Sequence, residues 1–109
     1  MMKELSKQEL DGLLTFNKKR VALYFYTPLC GTCKLATRML EVTLEALPTI
    51  TVYTCNVNMM AEYVAKWQIS SVPCLIMLEK NQVVSVEYSL QSVAKLYTTF
   101  SAFFNNKGN

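Results

Sequence analysis

Residues 21–26, Val21-Ala22-Leu23-Tyr24-Phe25-Tyr26, are apolar without alternation. A strand with no polar face has to be covered on both sides, which calls for helices above and below a sheet. Four residues later comes Cys30-Gly31-Thr32-Cys33, and the residues from Lys34 to Val42 follow in a helical pattern. Two thiols therefore sit where a strand ends and a helix begins. There they face the unpaired N–H groups and the positive end of the helix dipole. Such a place favours the thiolate, which is the reactive form of cysteine.

The rest of the chain supplies the covering layers. Ser6 and Glu9 form a capping box for a first helix carrying Leu10, Leu13, Leu14 and Phe16. After the cysteine motif, Leu35, Met39, Val42, Leu44 and Leu47 lie near helical spacing until Pro48 stops the run. Residues 49–57 are β-branched and aromatic and read as a strand. Residues 59–67 read as a short helix with Met60, Val64 and Trp67 inward. Residues 74–78 and 83–86 form a hairpin around Glu79-Lys80-Asn81-Gln82, with Asn81 suited to a left-handed turn position. Ser89 is placed to cap a last helix with a stripe of Val93, Leu96, Tyr97, Phe100 and Phe104, and residues 105–109 form a polar tail. The helix between the first two long strands makes them parallel in a right-handed crossover, and the short turn makes the last two antiparallel. The expectation is one α/β domain over residues 1–109: a mixed sheet of four strands with helices on both faces.

The spacing of the two thiols carries the chemistry. Positions i and i+3 of a first helical turn share a face, with Cα atoms about 5–6 Å apart, within reach of a disulfide. Cys30, at the helix start, should be the more exposed and more acidic thiol. Cys33, one turn in, should be buried and stay protonated longer. Those roles suit dithiol exchange: Cys30 attacks a disulfide and Cys33 resolves the mixed disulfide. Gly31 leaves room for a partner to approach. The exposed charge of Lys34 adds little. The chain has no His, which removes a Cys–His nucleophile pair. A zinc site would need Cys55 and Cys74 as further ligands, but their spacings are long and both fall within strands. They read instead as small buried hydrophobes, although Cys74, directly after Pro73, could reach the redox pair. No metal is expected, and no cofactor beyond the Cys30–Cys33 disulfide itself.

At 51% hydrophobic and 17% charged residues the chain can build a core without disulfide staples. The net charge of +3 is mild, and Lys18-Lys19-Arg20, without interleaved aromatics, argues against nucleic-acid binding. The first ten residues lack the apolar run of a secretory leader, and no stretch approaches the ~18 apolar residues of a membrane span. A cytoplasmic, monomeric protein without a membrane or nucleic-acid partner is expected, and in that compartment a Cys-x-x-Cys pair is catalytic or metal-binding more often than structural.

With Cys30-Gly31-Thr32-Cys33-Lys34 after its strand, and Trp67-Gln68-Ile69-Ser70-Ser71-Val72-Pro73 before the hairpin, the chain resembles thioredoxin over nearly its whole length. The resemblance implies a thioredoxin-like fold, with a possible fifth, very short strand before the first helix. It implies a cis Pro73 packed against the cysteine motif and a Val72 backbone that pairs with an extended substrate. Substrate contacts would then come from Leu29, Gly31, Thr32, Val72 and Pro73. It also implies a thiol–disulfide oxidoreductase that reduces disulfide-containing proteins, recharged by a reductase or a low-molecular-weight thiol.

Departures from the family pattern matter too. Leu29 stands where the family has Trp, Thr32 where it has Pro, and Ser89 where it has a Gly in the substrate groove. Tyr24 and Thr54 stand where the family buries an Asp beneath the resolving cysteine and its Lys partner. Losing both charges together is sensible, because one left alone would be costly. With no carboxylate to take the Cys33 proton, resolution is expected to be slower than in a typical member. These losses also leave an alternative: a thioredoxin-fold binding or chaperone-like module with weak or no redox activity.

Overall fold

The structure, a computed structural model, describes residues 1–16 and 19–105. Lys18 of the basic cluster and residues 106–109 of the tail lie outside them. The elements are β1 (Met2–Glu4), α1 (Lys7–Phe16), β2 (Arg20–Tyr26), α2 (Gly31–Glu45), β3 (Val52–Asn56), α3 (Ala61–Lys66), β4 (Cys74–Glu79), β5 (Gln82–Glu87) and α4 (Val93–Asn105). A 3-10 turn, Val57–Met59, precedes α3.

The strands form one five-stranded sheet in the order β1-β3-β2-β4-β5. β1 and β2 run parallel to β3 on its two sides, and β4 and β5 are antiparallel to their neighbours. The fifth strand is the three-residue β1, bonded to β3 through the register Met2↔Val52 to Glu4↔Thr54.

Alternation along β2 and β4 divides the core in two. Val21, Leu23 and Phe25 of β2 join Cys74, Ile76 and Leu78 of β4, with Leu10, Met60 and Tyr63. Ala22 and Tyr24 join Leu75 and Met77 on the other face, with Ala36, Leu40, Leu96 and Phe100. Each central strand thus buries both faces, as its unbroken apolar run requires. The register Ala22↔Met77 and Tyr24↔Leu75 keeps like faces together.

Local signals formed as read where the chemistry is local. In the capping box the Ser6 hydroxyl accepts from the Glu9 N–H (3.1 Å), and the Glu9 carboxylate accepts from the Ser6 N–H (2.8 Å). Lys80 and Asn81 both take positive φ (51° and 64°), making a two-residue hairpin turn whose twist matches the strands. Two expectations are corrected. In α2 the buried side chains are Cys33, Ala36, Leu40, Thr43 and Leu44, while Leu35 is 66% and Val42 37% exposed. Ala36, Leu40 and Leu44 face the sheet and α4, and Leu35 falls one position off that inner face. The last helix is capped by Ser92, not Ser89: the Ser92 hydroxyl accepts from the Lys95 N–H at 3.1 Å. Three residues separate Ser92 from Lys95, the spacing an N-cap needs, and Ser89 lies too far upstream.

Candidate functional site

Cys30 is the N-cap of α2, with extended backbone (φ −92°, ψ 113°). Its sulfur occupies the place where a cap normally offers a hydroxyl or carboxylate oxygen, and it accepts the Cys33 backbone N–H at 3.1 Å. Its carbonyl accepts the N–H of Lys34 at 3.3 Å, the first bond of the helix. The Thr32 hydroxyl lies 3.2 Å from the same sulfur, and the Val72 carbonyl 3.9 Å away. The backbone N–H of Cys33 and the Thr32 hydroxyl can donate to this sulfur, whereas the Val72 carbonyl can only accept from it; donors make a thiol more acidic. Hydrogen bonds from the Cys33 thiol, first, and from Thr32 hold Cys30 below the ordinary thiol range. Burial, followed by the hydrogen bond to Cys30, pushes Cys33 up. Cys30 is half-buried and Cys33 is 2% exposed. The two thiols thus differ in the direction expected from their places on the helix.

Val72–Pro73 is a cis peptide, and the Val72 carbonyl lies at the Cys30 sulfur. Beside Cys30, whose sulfur meets Thr32 and Val72, lies a shallow groove walled by Thr32, Leu35 and Met39 of α2 and by Val72, Pro73 and Ser89. Leu29, directly before Cys30, has 97% of its surface open. A Cβ added at Gly31 would meet nothing within 4 Å, so any need for glycine there comes from what approaches. The structure therefore brings Thr32 and Val72 to the Cys30 sulfur and sets both, with Pro73, in one groove; Leu29 is exposed next to Cys30 and does not line it. The structure adds Leu35, which the sequence pattern had assigned to the helix's apolar run.

Beneath Cys33 lies Tyr24, fully buried. Its hydroxyl donates to the Cys33 carbonyl at 2.9 Å and accepts from the Thr37 hydroxyl at 3.3 Å. Thr37 was not singled out in the sequence, although it stands four residues after Cys33 and so on the same helical face. Thr54 donates to the Glu4 carboxylate on β1 at 2.9 Å, and the Tyr26 hydroxyl donates to the same carboxylate at 2.8 Å. Cys55 and Cys74 lie on β3 and β4, both opposite Phe25 of β2 and fully buried. Among the described residues, no three of His, Cys, Asp and Glu are grouped as metal ligands would be. No helix is long and apolar enough to cross a membrane among those residues.

Comparison with known proteins agrees with this geometry. A thioredoxin family model matches residues 1–101. The chain is 42% identical over 96 residues to a thioredoxin-like protein, YusE, of Bacillus subtilis, covering 88% of each. It is 29% identical over 80 residues to thioredoxin-2 of Saccharomyces cerevisiae, covering 73% of this chain and 77% of the relative. Among solved structures, a thioredoxin of Fasciola hepatica superposes with a TM-score of 0.77 at 18% identity, over 94% of this chain and 99% of its own. A mutant thioredoxin from Halobacterium salinarum gives 0.76 at 20% identity, over 94% and 89%. At such identities the structural likeness speaks to the fold, while the family model and the bacterial relative speak to descent. An acidic cap cysteine, a buried partner one turn in, a cis proline facing them and these relatives converge: the chain belongs to the thioredoxin family.

Proposed function

We propose that this chain reduces disulfides in other proteins by dithiol exchange, with Cys30 as nucleophile and Cys33 as resolving thiol. One observation carries the reading: the Cys30 sulfur is itself the cap of α2, so the helix that positions it also makes it acidic. The Cys30 thiolate attacks one sulfur of the substrate disulfide; the S–S bond breaks and one substrate sulfur leaves as a thiolate. Cys33 then attacks the Cys30 sulfur of the mixed disulfide. It loses its proton, forms the Cys30–Cys33 bond and releases the second substrate thiol. Two electrons have moved to the substrate, and a reductase or low-molecular-weight thiol restores the dithiol.

The groove supports a substrate in extended form. Leu29, Gly31 and Thr32 would face its side chains, and the Val72 backbone beside Pro73 would pair with its main chain. The family supports action in the cytoplasm as a monomer. Insulin reduction driven by dithiothreitol tests the reading. Wild type should bring on turbidity far sooner than Cys30→Ser. Equal rates would abandon reduction and favour the binding-module alternative.

A further inference from the structure

Tyr24 has no part in the exchange chemistry just described, yet its hydroxyl ends on the backbone carbonyl of the resolving cysteine. Resting on the proposed reading, the geometry assigns Tyr24 a role as positioning residue: a neutral hydrogen-bond donor that steadies Cys33 as its sulfur takes on negative charge.

Three observations carry this. The phenol is fully buried, so water does not compete for its hydrogen. Its hydroxyl rests 2.9 Å from the Cys33 carbonyl, which places it on the residue whose sulfur must ionise. The Thr37 hydroxyl donates to the phenol oxygen, so the phenol's single hydrogen is the one it gives, at rest to the Cys33 carbonyl. Burial raises the Tyr24 phenol to about 12, so it stays protonated throughout and gives a hydrogen bond, never a proton. A hydrogen bond from Tyr24 also acts on the Cys33 thiol against the burial that pushes it up.

The step balances without a base in the site. The proton leaving Cys33 ends on the departing substrate thiolate, and Tyr24 turns its O–H from the Cys33 carbonyl to the sulfur while the charge lasts. A donor aimed at developing charge in a dry site lowers the barrier without changing protonation itself.

The ionisable groups around Cys33 define what a pH profile can show. Tyr24 and Tyr26 face it from β2, and Cys30 faces it across the helix start. Lys34, Arg38 and Glu41 of α2 line the cleft beside it, and Glu4 of β1 reaches only as far as the Tyr26 hydroxyl. If Tyr24 is the device, resolution climbs with pH along a thiol limb alone.

A chromogenic aryl disulfide followed by stopped flow separates the steps, because attack by Cys30 and resolution by Cys33 each release one coloured thiolate. Tyr24→Phe should slow the second release about tenfold, leave the first unchanged, and move the second limb to higher pH. Thr37→Val, a change on a half-buried helix position, should give a smaller shift in the same direction. An unchanged second release, equal slowing of both, or a wild-type limb in the carboxylate range would each overturn the assignment. In a Cys30→Ser background, ultraviolet titration of Cys33 gives a separate readout. Tyr24→Phe should raise the titration midpoint, and an unmoved midpoint counts against Tyr24 even if exchange were absent. Loss of the first release in wild type would instead defeat the oxidoreductase reading.

Discussion

The four cysteines fall into two pairs made of the same side chain in opposite surroundings. Cys30 and Cys33 lie at a helix start, where N–H groups have no partner inside the helix. Cys55 and Cys74 lie in the sheet, one on either side of Phe25, paired with it on β2 and fully buried. The first place lowers Cys30; the second pushes Cys55 up to about 12 and Cys74 to about 11, through burial in each case. The Tyr88 hydroxyl, which hydrogen-bonds Cys74, partly offsets its burial. Spare donors, not the thiol itself, separate a reactive cysteine from an inert one.

Alkylation of the reduced protein near neutral pH is the most direct way to break that contrast. Cys30 should react roughly a thousandfold faster than Cys55, following their thiolate fractions. Mass mapping that found Cys55 labelled alongside Cys30 without unfolding would dissolve the distinction.

Stability sharpens it from the other side. Cys55→Ser puts a hydroxyl among Phe25, Met60 and Tyr63 in the dry cluster, at a cost of roughly 1–3 kcal/mol. Cys30→Ser, at a solvent-facing cap, keeps an acceptor for the Cys33 N–H and should stay within about 0.5 kcal/mol in the reduced protein near pH 6. Urea unfolding of the two variants beside wild type compares them. Similar losses would mean that the pairs do not differ in burial as described.

The smallest effect concerns pH. Cys30 is lowered on folding, so its ionisation favours the folded, reduced chain. That contribution is complete above the unfolded thiol value, about 8.5, and is lost as pH falls through the lower folded value. The melting temperature of reduced wild type should therefore gain on that of Cys30→Ser as pH rises through this window, then level off. A gap that stayed constant or narrowed would show that the cap does not favour the thiolate.

The relation between pattern and fold can be followed residue by residue. Where a signal needs only a few neighbouring residues, it was legible in the chain. Examples are the Ser6–Glu9 box, the Lys80-Asn81 turn, and the unbroken run 21–26 that had to be covered twice. The cysteine pair belongs here too, since its spacing and its place at a strand–helix junction set both exposure and relative acidity. Leu35 shows the opposite case. By composition it belonged to the apolar run of α2, but the helix's rotation was set by contacts with β2, β4 and α4 through Ala36, Leu40 and Leu44. Leu35 was left facing the groove.

The sequence by itself determined the α/β layering, the site of the reactive pair and the order of its two acidities, because these follow from periodicity and helix-end chemistry within a few residues. Only the tertiary structure decided what those thiols touch. The Val72 carbonyl at Cys30, the Tyr24–Thr37 hydroxyls under Cys33 and the Glu4 carboxylate claimed by Thr54 and Tyr26 join residues 9 to 50 positions apart. Side chains so far separated along the chain meet only when strand register and helix packing bring them together, and those are settled by burial over the whole core.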